Sequence, residues 1–219
     1  MKSVALSASL VFLSLSAHAY SIDFGSAGLP SACAAMSSGE GPFTVCGAGI
    51  ALNQAYGDVP GVVNVTYTDV NIPTRSLLWW DTNYNNLYGV AYSSGSDGDS
   101  WARIDLEPAS GLQLTLDSFR LGAYNNQTRA TNVVIYAIGE PTPLYTYAGN
   151  VGNGSIDSTL FDLDLTSASG IRIEWSNSAA NVGIDQINFT VKRVPEPGAA
   201  ALAGAAASAL GALARRRSA

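Results

Sequence analysis

The most regular feature of the chain is alternation. Leu112, Leu114 and Leu116 take every second position with Gln113, Thr115 and Asp117 between them, and Phe119, Leu121 and Ala123 resume the rhythm after Ser118. Trp101-Ala102-Arg103-Ile104-Asp105-Leu106 alternates in the same way. A two-residue period puts successive side chains on opposite faces of an extended segment, one face buried and one solvated. Further short β-branched or apolar runs occupy 62–67, 77–80, 87–92, 133–138, 144–147, 160–165, 171–175 and 182–191. Turn-forming residues separate them, notably 81–86 and the Gly/Ser/Asp cluster 93–100. Roughly ten strands at near-regular spacing predict an all-β fold, an antiparallel β-sandwich of jelly-roll-like type. The segment 35–50 is compatible with a short helix.

The two ends follow other rules. Met1 and Lys2 give a positive start, an apolar run covers 4–15, and Ala17-His18-Ala19 precedes Tyr20. These are the parts of a secretory signal peptide, and the run is too short for a permanent membrane span. The mature chain is expected to begin at Tyr20. At the other end, Pro195-Glu196-Pro197 is followed by seventeen uncharged residues, 198–214, and then by Arg215, Arg216 and Arg217. As a helix the uncharged segment would be roughly 26 Å long, at the short limit for crossing a bilayer. Leu202, Leu210 and Leu213 together favour insertion by only about 1–2 kcal/mol, so this is a marginal transmembrane helix, with the arginines as its cytoplasmic clamp. Pro195 and Pro197 keep the helix from starting upstream and leave Glu196 on an accessible, extended segment. The expected organisation is a signal peptide at 1–19, a β-sandwich domain at 20–193 and a C-terminal signal at 194–219.

The order Pro195-Glu196-Pro197, hydrophobic helix, Arg215-Arg216-Arg217 resembles the PEP-CTERM sorting signal of Gram-negative bacteria. The resemblance implies recognition by exosortase, an integral-membrane cysteine transpeptidase. It implies transient anchoring in the inner membrane through the helix, then transfer of the body to the cell surface or extracellular matrix. A second, looser resemblance rests on the stretches 116–124 and 183–189. They are similar to bodies commonly found ahead of this signal, which look like carbohydrate-binding jelly rolls.

Charge and chemistry narrow the functions. Residues 20–196 hold seventeen acidic and seven basic side chains, a net charge of −10. Such a surface repels nucleic acid and anionic lipid, which both require cationic neutralisation. Cys33 and Cys46 are the only cysteines. In an oxidising compartment they most simply form one disulfide, closing a loop for about 3 kcal/mol in the chain-entropy model, with free thiols or intermolecular pairing as the other outcomes. The single histidine is His18, inside the signal peptide. Histidine-based triads, general acid/base steps and the usual zinc sets therefore have no ligand in the mature body. Carboxylate chemistry survives, through Glu40, Glu107, Glu140 or Glu174, but no spacing pairs them. Arg172 and Glu174 share a strand face and read as a surface ion pair.

Two kinds of binding site remain. Asp97 and Asp99 flank Gly98 and could contribute oxygens to a calcium ion, although the residues after them read as a strand and a plain hydrophilic turn is the better fit. Trp79, Trp80, Tyr84, Tyr88, Tyr92 and Trp101 crowd into 23 residues, and Tyr124 stands beside Asn125, Asn126 and Gln127. Aromatic faces beside amides suit sugars. Trp79 and Trp80 must point to opposite faces, so one belongs to the core. The expected ligand residues are Trp79, Trp80, Tyr84, Trp101 and Tyr124. The leading expectation is an exported, non-enzymatic surface or matrix protein associated with exopolysaccharide. A dedicated carbohydrate-binding module comes second and a carboxylate-dependent glycoside hydrolase third.

Overall fold

A computed structural model describes residues 16–25, 49–154 and 156–194. The disulfide pair Cys33 and Cys46, any helix in 35–48, residues 1–15, and the sorting residues Pro195, Glu196, Pro197, Arg215, Arg216 and Arg217 lie outside the described residues. The described strands are β1 (Ala17–Ile22), β2 (Ile50–Ala51), β3 (Val63–Asp69), β4 (Leu78–Trp80), β5 (Val90–Tyr92) and β6 (Ser100–Pro108). They continue with β7 (Leu112–Ala123), β8 (Arg129–Ala137), β9 (Pro143–Val151), β10 (Thr159–Ser167), β11 (Ile171–Asn177) and β12 (Val182–Arg193). No helix occurs among the described residues.

Two sheets stack. A seven-stranded sheet runs β10-β7-β12-β5-β4-β2, with β1 also paired to β12, and a five-stranded sheet runs β3-β6-β11-β8-β9. Every pairing between these strands is antiparallel. Only β4–β5 and β8–β9 are hairpins within one sheet; most other connections carry the chain from one sheet to the other. The result is the antiparallel, jelly-roll-like sandwich that the alternation predicts.

The core lies between the sheets. Ala102, Ile104 and Leu106 of β6, with Ile171, Ile173 and Trp175 of β11, face Leu114, Leu116, Phe119 and Leu121 of β7. The break in rhythm at Ser118 is real. Leu114 and Leu116 are buried at even positions, Phe119 and Leu121 at odd ones. Strand β12 changes parity beside it, from Ile184 to Ile187, and pairing slips there between Asp185 and Asn188. Gln186, at φ 51°, takes up the extra residue. A bulge of this kind lets both strands keep their apolar side chains inward on either side of the kink.

Two details depart from the sequence reading. The 87–92 run pairs as a strand only from Val90, because Leu87 closes a tight turn onto Tyr84 and Gly89 passes under Phe24. A Cβ at Gly89 would collide with the Phe24 carbonyl. At the N-terminus, β1 pairs Ala17–Ile22 with Lys192–Ile187, so three of its residues fall in the segment expected to be removed. Tyr20, Ser21 and Ile22 are held independently: Tyr20 stacks on Phe189 with centroids 5.5 Å apart. Beyond them the Phe24 N–H donates to Asp185 Oδ1 at 2.8 Å, and its carbonyl accepts from Trp79 Nε1 at 2.8 Å.

Strand β12 runs the full height of the sandwich. Its start meets the loops at 81–89, 93–99 and 124–128, where Tyr124 N–H donates to Asn181 O at 2.8 Å and Ser93 N–H to Ala179 O at 3.0 Å. Its far end lies beside the β6–β7 turn, where Val194 N–H donates to Gly111 O at 2.9 Å.

Candidate functional site

The site begins with two residues that have no side chain. Gly122 of β7 and Gly183 of β12 are register partners, so the outer surface of the seven-stranded sheet is flat at that point. The 84–90 segment folds back onto the flat. Tyr84 O and Leu87 cover Gly122, while Val90 and Tyr84 cover Gly183. Tyr84, Leu87 and Val90 thereby form a second buried cluster, with Trp80, Tyr92 and Tyr124 packed around it. The two stretches singled out in sequence, 116–124 and 183–189, are these neighbouring strands.

The four rings interlock. Tyr84 and Tyr124 have centroids 5.2 Å apart, Trp80 meets Tyr124 edge-on at 5.7 Å and Tyr92 edge-on at 6.1 Å, and Tyr84 lies 6.1 Å from Tyr92. Edge-to-face contacts at such distances fix ring orientation. Tyr84 is fully buried and donates to Ala180 O at 3.2 Å, whereas Trp80, Tyr92 and Tyr124 are half-buried and keep part of each ring open. Burial pushes the Tyr84 hydroxyl well above its ordinary pKa, Tyr92 and Tyr124 add to the rise, and Arg129 opposes it. Burial and then Tyr124 raise Tyr92 as well. Both hydroxyls are thus neutral donors across the physiological range.

A polar rim adjoins the rings. Arg129 pairs with Asp97 through Nη1 and donates to Gln127 Oε1 at 3.2 Å through Nη2; Asn181 Nδ2 donates to the other Asp97 oxygen at 2.9 Å. Asn125 and Asn126, at φ 64° and 54°, take the left-handed turn that asparagine tolerates, and both of their N–H groups donate to Asn83 O. Four buried side-chain polar atoms among the described residues lack a partner: Ser76 Oγ, Asp185 Oδ2, Trp80 Nε1 and Arg129 Nε. Trp80 and Arg129 belong to this site, and each offers a donor without an acceptor. Half-buried ring faces beside exposed amide side chains can hold a ligand with a C–H face and hydroxyl groups.

The predicted ligand residues separate. Trp80, Tyr84 and Tyr124 come together. Trp79 does not join them: it is 7% exposed in the main core with its indole N–H on Phe24 O. Trp101 stands on the outer face of the other sheet, 40% exposed. Sequence reasoning missed Arg129, Asn181 and the role of Asp97 here, because nothing local in the chain links 97, 129 and 181. Only strand order brings them to one end.

The remaining candidates have other partners. The Asp97 carboxylate is occupied by Arg129 and Asn181, and Asp99 O accepts from Asn71 Nδ2 at 2.7 Å. No group of three His, Cys, Asp or Glu is clustered for a metal among the described residues. Arg172 and Glu174 do not pair with each other as expected. Strand register sets each opposite a residue of β6, so Arg172 binds Asp105 at 2.8 and 3.1 Å, and Glu174 binds Arg103 at 2.7 Å. The guanidinium of Arg172 is held above its ordinary pKa first by the hydrogen bonds it donates to Asp105. Glu107 stays exposed on β6 and Glu140 follows β8 in a turn. A groove of about 520 Å³ lies at the opposite end, between Ser16, His18, Gly61, Gly111 and Lys192.

No protein-family model matches the chain, and no curated protein matches it in sequence. Several solved structures are similar to parts of the chain at low TM-scores. A family 29 carbohydrate-binding module from Piromyces equi is 10% identical, with 80% of this chain and 91% of that chain covered at a TM-score of 0.33. A family 61 module in complex with β-1,4-galactotriose is 11% identical, covering 60% of this chain and 88% of that one at a TM-score of 0.31. A Podospora anserina β-(1,4)-mannanase with an attached family 35 module is 17% identical over 63% of this chain, at a TM-score of 0.33. The chain spans only 29% of that enzyme's length.

Proposed function

We propose that this chain is an exported, non-catalytic carbohydrate-binding domain, and that its binding site is the Trp80–Tyr92–Tyr124 cluster with its rim of Asn125, Asn126, Gln127 and Arg129. The observation that carries the reading is the cluster of half-buried aromatic rings, Trp80, Tyr92 and Tyr124, beside a polar rim at one loop end. A sugar ring supplies a C–H face for the rings and hydroxyl groups for the amides of the rim. The net charge of −10 between residues 20 and 196 favours neutral polysaccharide over acidic polymer. Glycoside cleavage needs a pair of carboxylates, and Asp97 of this rim is taken up by Arg129 and Asn181, so the site is read as one that holds its ligand and does not cleave it.

The proposal includes the route. Export through residues 1–19, membrane anchoring by the C-terminal helix and release by exosortase at Pro195-Glu196-Pro197 would place the domain at the surface or in the matrix of a Gram-negative cell, beside exopolysaccharide.

Affinity electrophoresis tests the binding. The protein is run through gels containing galactomannan, xyloglucan, mixed-linkage β-glucan or polygalacturonate. Retardation by at least one neutral polymer is expected, with passage through polygalacturonate unaltered. Unaltered passage through all four would overturn the reading. Intact mass from cell-surface and culture fractions tests the route: loss of the residues after 194–197 is expected in the parent strain and not in an exosortase deletion. A tail retained in both would leave a simple anchored domain.

A further inference from the structure

Trp101 is the exposed tryptophan that the loop-end site leaves over. It stands on β6 at an outward position, since Ala102, Ile104 and Leu106 face the core. Arg103 and Asp105 follow it on the same face, and register sets Ser176, Glu174 and Arg172 of β11 directly opposite. The charges form a ladder of two ion pairs, Arg103–Glu174 and Arg172–Asp105. Its carboxylates are nearly covered, with side chains 8% and 11% exposed, while the guanidiniums are 26% and 29% exposed. The ladder is electrically neutral, and its partly exposed guanidiniums keep N–H groups that no carboxylate takes up. Arg103 uses only Nε on its carboxylate, and Arg172 uses Nε and one terminal nitrogen. Thr66 and Thr68 of β3 flank the ladder on one side, with Tyr136 of β8 on the other.

From Trp101 to Asp105 the strip is about 13 Å long, and β6 and β11 lie about 4.8 Å apart, room for a short run of sugar rings laid along the strands. A hydroxyl both donates and accepts, so it can bridge a guanidinium N–H and a neighbouring carboxylate oxygen without either giving up its ion-pair partner. An exposed indole at the end of such a strip offers a stacking face.

We propose that this outer face of the five-stranded sheet is a second glycan platform, with Trp101 stacking on one ring and the Arg103–Glu174 and Arg172–Asp105 pairs taking hydroxyls of its neighbours. The proposal rests on the sugar-binding reading but adds a site that the loop-end cluster does not require. The two platforms sit on the outer surfaces of opposite sheets, so one molecule can hold two polysaccharide segments and cross-link them.

The experiment uses the exported protein and the polymer that retards it most in the electrophoretic panel. Trp101→Ala is expected to weaken binding about 10-fold and Trp101→Phe to restore part of it. Trp101→Ala combined with Tyr124→Ala is expected to abolish retardation. Light scattering of the polymer should rise on adding parent protein, and should not rise with either single alanine variant, although each still binds. Near-ultraviolet circular dichroism confirms that the variants stay folded. Retardation and scattering by Trp101→Ala equal to the parent would overturn the second platform and leave the loop-end site standing. A parent protein that no polymer retards would overturn the sugar reading and this platform together.

Discussion

Gly122 and Gly183 face one another across β7 and β12, and the room where their side chains would stand is filled by Tyr84, Leu87 and Val90. The aromatic site depends on this vacancy, since the segment that carries Tyr84 can lie on the sheet only where no Cβ projects. In Gly122→Ala the new methyl would meet the Tyr84 backbone carbonyl. We expect a loss of about 1–3 kcal/mol from overpacking, measured by chemical denaturation, together with weakened glycan binding. Gly111→Ala serves as the contrast. Its φ of 79° is strained for alanine but nothing lies within 4 Å, so it should cost about 1 kcal/mol and leave binding unchanged.

Tyr124→Ala removes the ring that touches both Trp80 and Tyr84. Binding to a neutral polymer should fall about 10-fold, read by affinity electrophoresis, with the midpoint of thermal unfolding lowered by only a few degrees. Equal retardation of variant and parent would remove the loop-end cluster from the binding surface.

Asp185 gives a pH prediction. It is wholly buried and accepts from Phe24 N–H through Oδ1, while Oδ2 has no partner. Burial raises its pKa from 3.8 to about 8; the Asp23 charge adds to the rise, and hydrogen bonds from the Phe24 and Gln186 backbone oppose it. Between those two values the folded chain holds a proton that the unfolded chain has released, so this residue's contribution to stability falls as pH rises from about 4 to about 8 and then levels off. Asp185→Asn keeps the acceptor for Phe24 and cannot ionise. Its melting temperature should match the parent near pH 4 and exceed it by a growing margin up to pH 8. A constant difference across that range would show that Asp185 does not titrate in the fold.

The ladder on β6 and β11 predicts coupling. Arg172→Gln leaves the nearly covered carboxylate of Asp105 without its bidentate partner. A double-mutant cycle with Asp105→Asn should give a coupling of about 1 kcal/mol, and the double variant should be more stable than Arg172→Gln alone.

Much of the architecture could be read from the order of residues. The clean alternation of 101–106 and 112–116 located β6 and β7, because burying one face of a strand imposes a period that the sequence must respect; the bulge beside Ser118 emerges only from the register with β12. The opposed orientations of Trp79 and Trp80 followed from the same geometry. What escaped was everything set by register or by distant partners. Arg172 and Glu174 share a face as read, yet each pairs across to β6, a choice that strand alignment makes and local spacing does not. The loop-end site draws on residues 80, 92, 97, 124, 129 and 181, which only the order of strands brings together. Strand β2 is two residues long, too short to leave a periodic trace.

The course of β12 has a mechanical consequence. Its first residue lies at the aromatic end and its last two beside Gly111, so the chain leaves the sandwich about 40 Å from the rings, measured along twelve strand residues. A copy held in a membrane by the segment beyond residue 194 would stand like a short post. Under the proposed route its height would come from one strand, and the end that carries Trp80, Tyr92 and Tyr124 would face away from the membrane.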